Sequence, residues 1–494
     1  MTEDELRALA GECLMVGIPG AELDPDSARL LRTEAIANVI LFSRNTPDPE
    51  ATAGLTASLQ AAGGPMLIAI DQEGGSVQRL TRGATPLPSA MALGAAGPEA
   101  AGRVAEVCAR ELRAVGVNLN LAPVVDVNVN PTNPVIGVRS FGDSPALVAA
   151  CGRAQVEAFQ AAGVLAAAKH FPGHGDTQVD SHLALPVLQH DRQRLEAVEL
   201  VPFRELADLV AVVMAGHLAV PALDPSGRPA TQSRPILEGL LRRELGFEGL
   251  VCADAMEMAG AGGQEPGERA VRAFEAGCDL VLLGTPGEYQ REVARALREA
   301  VSSGRVPEAR LRRSARRVRG LKRRLARLGP PPPLNVVGGA PHLEAVAEVA
   351  RAAVTLVRDS GLLPLAGGRV AALAFTGGRP NLAEEERAED LFLAACRRRG
   401  FAVVEPSRAR DFDALVVGAR RLSRDPAQVA AVRKLAAVRP LVLVALREPY
   451  DLGLVPEARA LVAAYGDEEP LVEAALDVIG GRLRAVGRLP VAVP

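Results

Sequence analysis

The chain reads as an α/β protein: a (β/α)8 TIM-type barrel followed by a smaller parallel α/β sandwich domain. Three observations predict this. Short β-rich apolar runs alternate with Ala- and Arg-rich helical stretches over residues 1 to about 325. Six of those runs end in or beside a polar or ionisable residue, and a barrel of parallel strands gathers its strand ends on one rim. Four successive prolines, 330–333, then interrupt the pattern before it resumes.

The barrel runs are Asn38–Phe42, Met66–Ile70, Asn118–Val125, Val164–Ala168, Ala211–Ala215, Leu250–Ala253 and Asp279–Leu283. Segments of helical periodicity, such as Pro145–Ala162 and Arg192–Leu206, lie between them. The residues closing six runs are Arg44, Asp71, Asp126, Lys169, His217 and Asp254. The expected division is a catalytic barrel over residues 1–328, a Pro-rich linker over 329–341 and a C-terminal α/β domain over 342–494. That last domain takes its strands from Ala353–Val357, Val370–Phe375, Ala402–Glu405, Ala414–Val417, Leu441–Ala445 and Ala460–Ala464.

Composition excludes several classes. Net charge is −3 with no basic block, which argues against a nucleic-acid partner and a polybasic membrane surface. No run of about 18 apolar residues is present, so no membrane span is expected. Six scattered cysteines form no CxxC, indicating neither a zinc site nor a disulfide framework. Free thiols and an acidic N-terminus unlike a signal peptide point to the cytoplasm. No cofactor motif is found, and the residues leave the oligomeric state open.

The chemistry concentrates in KHFPGHGDTQVDSH, Lys169–His182, which holds three of the six histidines and one of the three lysines. It follows a strand-like run and breaks into Gly and Pro, hence loop. In Asp180-Ser181-His182 a carboxylate two residues from an imidazole can curl back to hold Nδ1–H, making a general acid/base pair; a satisfied surface histidine is the alternative. Asp254 directly follows an apolar strand, which suits a nucleophile on carbon and equally the cap of a following helix. Asp71 opens DQEGGSVQRL, where Gly74-Gly75 suits a tight turn aiming a carboxylate at sugar hydroxyls; an ion pair among Asp71, Glu73 and Arg79 is the alternative. Arg139, in the loop 128–142, could fork an anionic or amide group or lie exposed. His170, His174, Asp176, Asp180 and His182 could supply zinc ligands, but their spacing matches no zinc pattern. The expected metal content is none.

Together, DQEGGSVQRL, RSFG (Arg139–Gly142), KHFPGHGDT (Lys169–Thr177), DSH (Asp180–His182), PALDP (Pro221–Pro225) and LRRELGFEGLVCADAMEM (Leu241–Met258) resemble glycoside hydrolase family 3, specifically its two-domain β-N-acetylglucosaminidases. The resemblance implies Asp254 as nucleophile, His182 as acid/base and Asp180 as its orienting partner. It further implies that Asp71, Arg79, Arg139, Lys169 and His170 bind N-acetylglucosamine. Where the family often reads S-D-D, this chain has Cys252-Ala253-Asp254, and Ser76 stands where Arg is common. The closing GRLPVAVP is similar to the family's last strand. The implied activity is a retaining exo-β-N-acetylglucosaminidase acting on cell-wall turnover fragments, with a phosphorylase as alternative. A sugar-binding protein without catalysis and a metal-dependent hydrolase are the readings from other classes.

Overall fold

Eight short parallel strands, taken in chain order, form the first sheet of the computed structural model, which describes residues 1–365, 367–377, 383–384 and 390–493. They are β1 (Leu14–Gly17), β2 (Asn38–Leu41), β3 (Leu67–Ile70), β4 (Leu119–Asn120), β5 (Leu165–Phe171), β6 (Val212–Ala215), β7 (Leu250–Ala253) and β8 (Val281–Leu283). The order is β8-β1-β2-β3-β4-β5-β6-β7. A parallel bridge between Cys252 and Leu280 joins β7 to β8, so the ring closes.

Every residue of these strands is buried, as expected for parallel strands covered on both faces. Their side chains alternate with period two. Met15, Ile40, Leu67, Leu119, Leu165 and Met214 fill the barrel interior. Their neighbours Leu14, Val16, Val39, Ile68, Ala166 and Val213 pack outward in the core shared with the helices.

Three features depart from expectation. The strand Leu14–Gly17, at the end of a helix over Glu3–Glu12, is absent from the expected runs. The run Asn118–Val125 keeps only two strand residues, because Pro123 supplies no N–H for a ladder. The run Val164–Ala168 continues as strand through Lys169 and His170 to Phe171, with a register shift between Lys169 and Phe171.

The second sheet contains β9 (Thr355–Asp359), β10 (Val370–Thr376), β11 (Ala402–Val403), β12 (Ala414–Arg420), β13 (Leu441–Ala445) and β14 (Ala460–Ala463). Its order is β9-β14-β13-β12-β10-β11. Five strands are parallel, but β9 runs antiparallel to β14, pairing Thr355 with Ala463, so the domain is mixed rather than wholly parallel. The tail is not a closing strand among the described residues. Instead it crosses to the barrel, where Asp143 N donates to Pro490 O at 3.0 Å and Ala492 N donates to the Asp143 carboxylate at 2.8 Å.

The second sheet docks on the loop rim of the barrel. Met91, Ala92 and Val138 share a buried cluster with Leu415, Leu443 and Tyr450. Ser89 Oγ donates to Tyr465 O at 2.7 Å, and Asn128 Nδ2 donates to the Tyr450 hydroxyl at 3.0 Å.

Candidate active site

At the end of β3 the chain turns through a small ribbon, Gln72–Gly74 paired with Val77–Gln78. Gly74 has φ +97°, and a Cβ there would stand 2.4 Å from Pro88 O, so only glycine fits. This turn sends Asp71 and Glu73 toward Lys169 at the tip of β5. Lys169 Nζ lies 2.6 Å from an oxygen of each. Arg139 forks the same glutamate, Nε to Oε2 at 2.8 Å and Nη2 to Oε1 at 2.9 Å. Arg139 is thus buried rather than exposed, and its fork holds a carboxylate of the protein itself. Burial opposes the charge on Glu73, but Arg139 and Lys169 outweigh it and hold the carboxyl far below its usual range. Burial likewise opposes the charge on Lys169, and Asp71 and Glu73 reverse the effect, keeping it an ammonium. Arg79 Nη2 stands 3.9 Å from Asp71.

A second layer sits behind. Asp126, fully buried, accepts His170 Nδ1 at 2.7 Å and the backbone N–H groups of His170 and His174 at 3.2 and 2.7 Å. Burial opposes its ionisation, but the neighbouring histidines prevail and its acidity is strengthened. With Nδ1 on a carboxylate, His170 has Nε2 as its remaining ring nitrogen, and the residue lines the cavity. His217 is sealed, Nδ1 against Thr231 Oγ1 at 2.9 Å and Nε2 against Ala255 O at 3.0 Å. Burial lowers its basicity. Of the six polar strand ends, Arg44, Asp71, Lys169 and Asp254 line the cavity, whereas Asp126 and His217 buttress it.

The loop after β5 carries the Asp–His pair. His174 bridges two hydroxyls, Nδ1 to Thr177 Oγ1 at 2.6 Å and Nε2 to Ser181 Oγ at 3.1 Å. Burial drives its pKa down to about 4, so the ring is neutral. Asp180 curls back as expected: its Oδ1 lies 2.7 Å from His182 Nδ1 and accepts the His182 backbone N–H at 2.9 Å. Burial opposes the Asp180 charge, and these bonds from His182 lower its pKa nonetheless. The potential zinc ligands separate into pairs, with Asp176 on His190 at 2.7 Å. Among the described residues no three metal-ligating side chains converge.

Asp254 follows β7 with its Oδ1 accepting the Ala255 N–H at 2.8 Å. No helix begins there. The next helical turn, Ala259–Ala261, starts from Met258 without a side-chain cap, which removes the helix-cap alternative. Burial opposes ionisation of Asp254, but His170 and His217 more than offset it, so the carboxylate is the favoured form. These side chains surround one cavity of about 410 Å³, lined by Asp71, Glu73, Arg79, Arg139, Lys169, His170, His182 and Asp254. Phe42, Arg44, Glu257, Met258 and Leu282 complete the lining. Glu257 and Ala383 line the cavity without having been named as site residues, and Glu73, weighed only as an ion-pair partner of Asp71 and Arg79, lines it too, paired instead with Arg139 and Lys169. An ionised carboxylate and a carboxylate-tied imidazole facing one cavity can supply a nucleophile and a proton shuttle.

Comparison with known proteins agrees with this geometry. The family model described as "Glycosyl hydrolase family 3 N terminal domain" matches residues 6–321. Beta-hexosaminidase A of Pseudoalteromonas piscicida is 39% identical over 375 residues, covering 69% of this chain and 63% of that protein. The match therefore spans just under two thirds of that relative's length. A beta-hexosaminidase of Alkalilimnicola ehrlichii is 42% identical over 294 residues, 58% of this chain and 84% of that one. The solved structure of a glycoside hydrolase family 3 beta-N-acetylglucosaminidase from Paenibacillus sp. str. FPU-7 superposes with a TM-score of 0.91 at 37% identity, covering 100% of this chain and 99% of that one. The chain therefore belongs to glycosyl hydrolase family 3 and groups with its β-N-acetylglucosaminidases.

Proposed function

We propose that the chain is a retaining exo-β-N-acetylglucosaminidase, with Asp254 as nucleophile and His182, oriented by Asp180, as acid/base. The observation that carries this reading is the 2.7 Å bond between Asp180 Oδ1 and His182 Nδ1 at a cavity that also contains the ionised Asp254. Binding a sugar requires neither group. The hexosaminidase names of the relatives supply the sugar.

In the first step Asp254 attacks C1 of the terminal N-acetylglucosamine. The bond from C1 to the leaving oxygen breaks, and that oxygen takes the proton from the His182 imidazolium. A glycosyl ester on Asp254 results. In the second step the now neutral imidazole removes a proton from water, whose oxygen attacks C1 and expels the Asp254 carboxylate. Two inversions retain configuration. Asp180 fixes the tautomer and stabilises the imidazolium. Asp71, Arg79, Lys169, His170 and Arg139 are assigned to the sugar: Asp71 and Lys169 on hydroxyls, His170 through Nε2, and Arg139 chiefly by fixing Glu73 beneath them.

The proposed substrates are fragments of peptidoglycan turnover, N-acetylglucosamine linked to anhydro-N-acetylmuramic acid and its peptides. Six buried, unpaired thiols support a reducing compartment such as the cytoplasm. No described helix is long and apolar enough to cross a membrane. A second reading is favoured by the acid/base being an imidazole: once neutral, it does not repel an anionic acceptor, so phosphate could replace water. Turnover of a chromogenic β-N-acetylglucosaminide with and without phosphate tests both readings. Free β-N-acetylglucosamine as first product is expected of the hydrolase, and the 1-phosphate would replace that reading with a phosphorylase.

A further inference from the structure

Across the barrel from Asp254 the cavity wall is not built by the barrel alone. β3 and β7 stand four places apart in the ring of eight, so Asp71 and Asp254 occupy opposite sides of the rim. On the Asp71 side, Arg79 Nη1 donates to the backbone carbonyl of Ala383 at 3.1 Å. Ala383 belongs to the second domain, is 7% exposed and lines the cavity.

Its neighbour Glu384 explains how it is held there. The Glu384 carboxylate is buried between two guanidinium groups: Arg421 Nη1 donates to Oε2 at 2.8 Å, and Arg447 Nη2 donates to Oε1. Arg421 follows β12 directly, and Arg447 stands two residues beyond β13. Glu384 therefore sits at the carboxyl ends of the second sheet. There β10 has β11 on one side and β12 on the other, so the strand order reverses. In open α/β sheets the crevice at such a reversal receives a ligand. Beside that reversal, at the ends of β12 and β13, the sheet holds a carboxylate of the same chain.

We propose that this Glu384 anchor is a specificity device: it fixes Ala383 against Arg79 as the wall that closes the cavity behind the sugar, so that only an unsubstituted terminal sugar fits. The inference rests on Asp254 attacking C1. In a pyranose C4 lies across the ring from C1, so a sugar with C1 at Asp254 directs C4 toward Asp71, Arg79 and Ala383. A further sugar on O4 would meet the Ala383 backbone. The barrel supplies the chemistry and the second domain limits the enzyme to chain ends.

The test compares a chromogenic β-N-acetylglucosaminide with its 4-O-methyl derivative in the full-length protein. Glu384→Gln removes the charge that joins Arg421 to Arg447. The kcat/KM ratio of the 4-O-methyl to the unsubstituted substrate should rise about tenfold, the scale on which a pocket discriminates one carbon group. A purely structural role would lower both substrates together, and an unchanged ratio overturns the proposal. If Glu384→Gln does not fold, Ala383→Cys decides. All six native cysteines are buried, so the introduced thiol reports alone. Saturating N-acetylglucosamine should slow its alkylation about tenfold, a shift of the size expected when a bound ligand covers the position. Undiminished alkylation, or no binding of the sugar by calorimetry, overturns the proposal. Protection of the introduced thiol in a protein that turns over neither substrate would count against the catalytic reading alone.

Discussion

The two ends of the cavity are held in place by different physics. Around Asp71, four charged groups interlock: Lys169 serves both Asp71 and Glu73, and Arg139 forks Glu73, with the Lys169, Glu73 and Arg139 side chains 3%, 4% and 5% exposed. Around His182 there is one carboxylate–imidazole pair on a loop, with the imidazole side chain 26% exposed. That loop is fastened by a neutral histidine between two hydroxyls. The first arrangement is costly to break, because each charge was desolvated in exchange for the others. In the second, the Asp180 carboxylate can be replaced without leaving a buried charge unpaired, because the imidazole it holds is partly exposed. Rigidity is invested where a sugar would be recognised, and a single hydrogen-bonded pair suffices where a proton would move.

The contrast breaks most visibly at Glu73. Glu73→Gln should leave Lys169 and Arg139 without their shared counter-charge and cost about 3–5 kcal/mol of stability, read by denaturant unfolding. Its pH signature follows from the sign of the shift. The folded pKa of Glu73 lies well below the usual carboxylate range, so its contribution is complete above that range and is lost as pH falls toward the folded value. The variant should show a flatter loss of stability on acidification. A Glu73→Gln protein as stable as the parent would mean that the four charges do not depend on one another.

At the other end the effect should fall on rate. Asp180→Asn should lower kcat by about 10²–10⁴-fold with little change in KM or melting temperature, because the imidazole loses its orienting charge. His182→Ala should harm a natural disaccharide more than a nitrophenyl glycoside, since a good leaving group needs no proton. Equal losses on both would remove His182 from the acid role.

The smallest effect sharpens the contrast. His174→Asn, which loses the two-hydroxyl bridge, should reduce kcat about tenfold, the value of roughly one hydrogen bond. With a folded pKa of about 4 against 6.5, His174 favours folding fully above pH 6.5, and that contribution is lost as pH falls toward 4. The variant should therefore lose less stability than the parent across that window in thermal melts at stepped pH.

Much of this architecture was legible in the residues because parallel strands covered on both faces are written as apolar runs. Seven of the eight barrel strands announced themselves so; Leu14–Gly17 did not, since only Cys13 separates it from an amphipathic helix whose apolar pattern it continues. The antiparallel course of Thr355–Asp359 was illegible because an apolar run carries no direction. The pairing of Asp180 with His182 is local, two residues apart, and could be read from spacing. The pairing of Glu73 with Arg139 spans 66 residues and depends on which strands become neighbours. Ala383 lies furthest from any motif, 304 residues from Arg79, and only the docking of the two domains brings them together.

The proposed chemistry turns on Asp254 being the group that bonds to C1. Incubation with a 5-fluoro N-acetylglucosaminide, or with a 2-deoxy-2-fluoro glucoside in which fluorine replaces the acetamido group, slows the second step, and peptide mapping then tests this directly. The expected result is a covalent sugar on the peptide containing Leu250–Met258, attached at Asp254, and no label in Asp254→Asn. A label on Asp71, Glu257 or any other carboxylate, or an Asp254→Asn protein that still turns over substrate at a substantial rate, would contradict it.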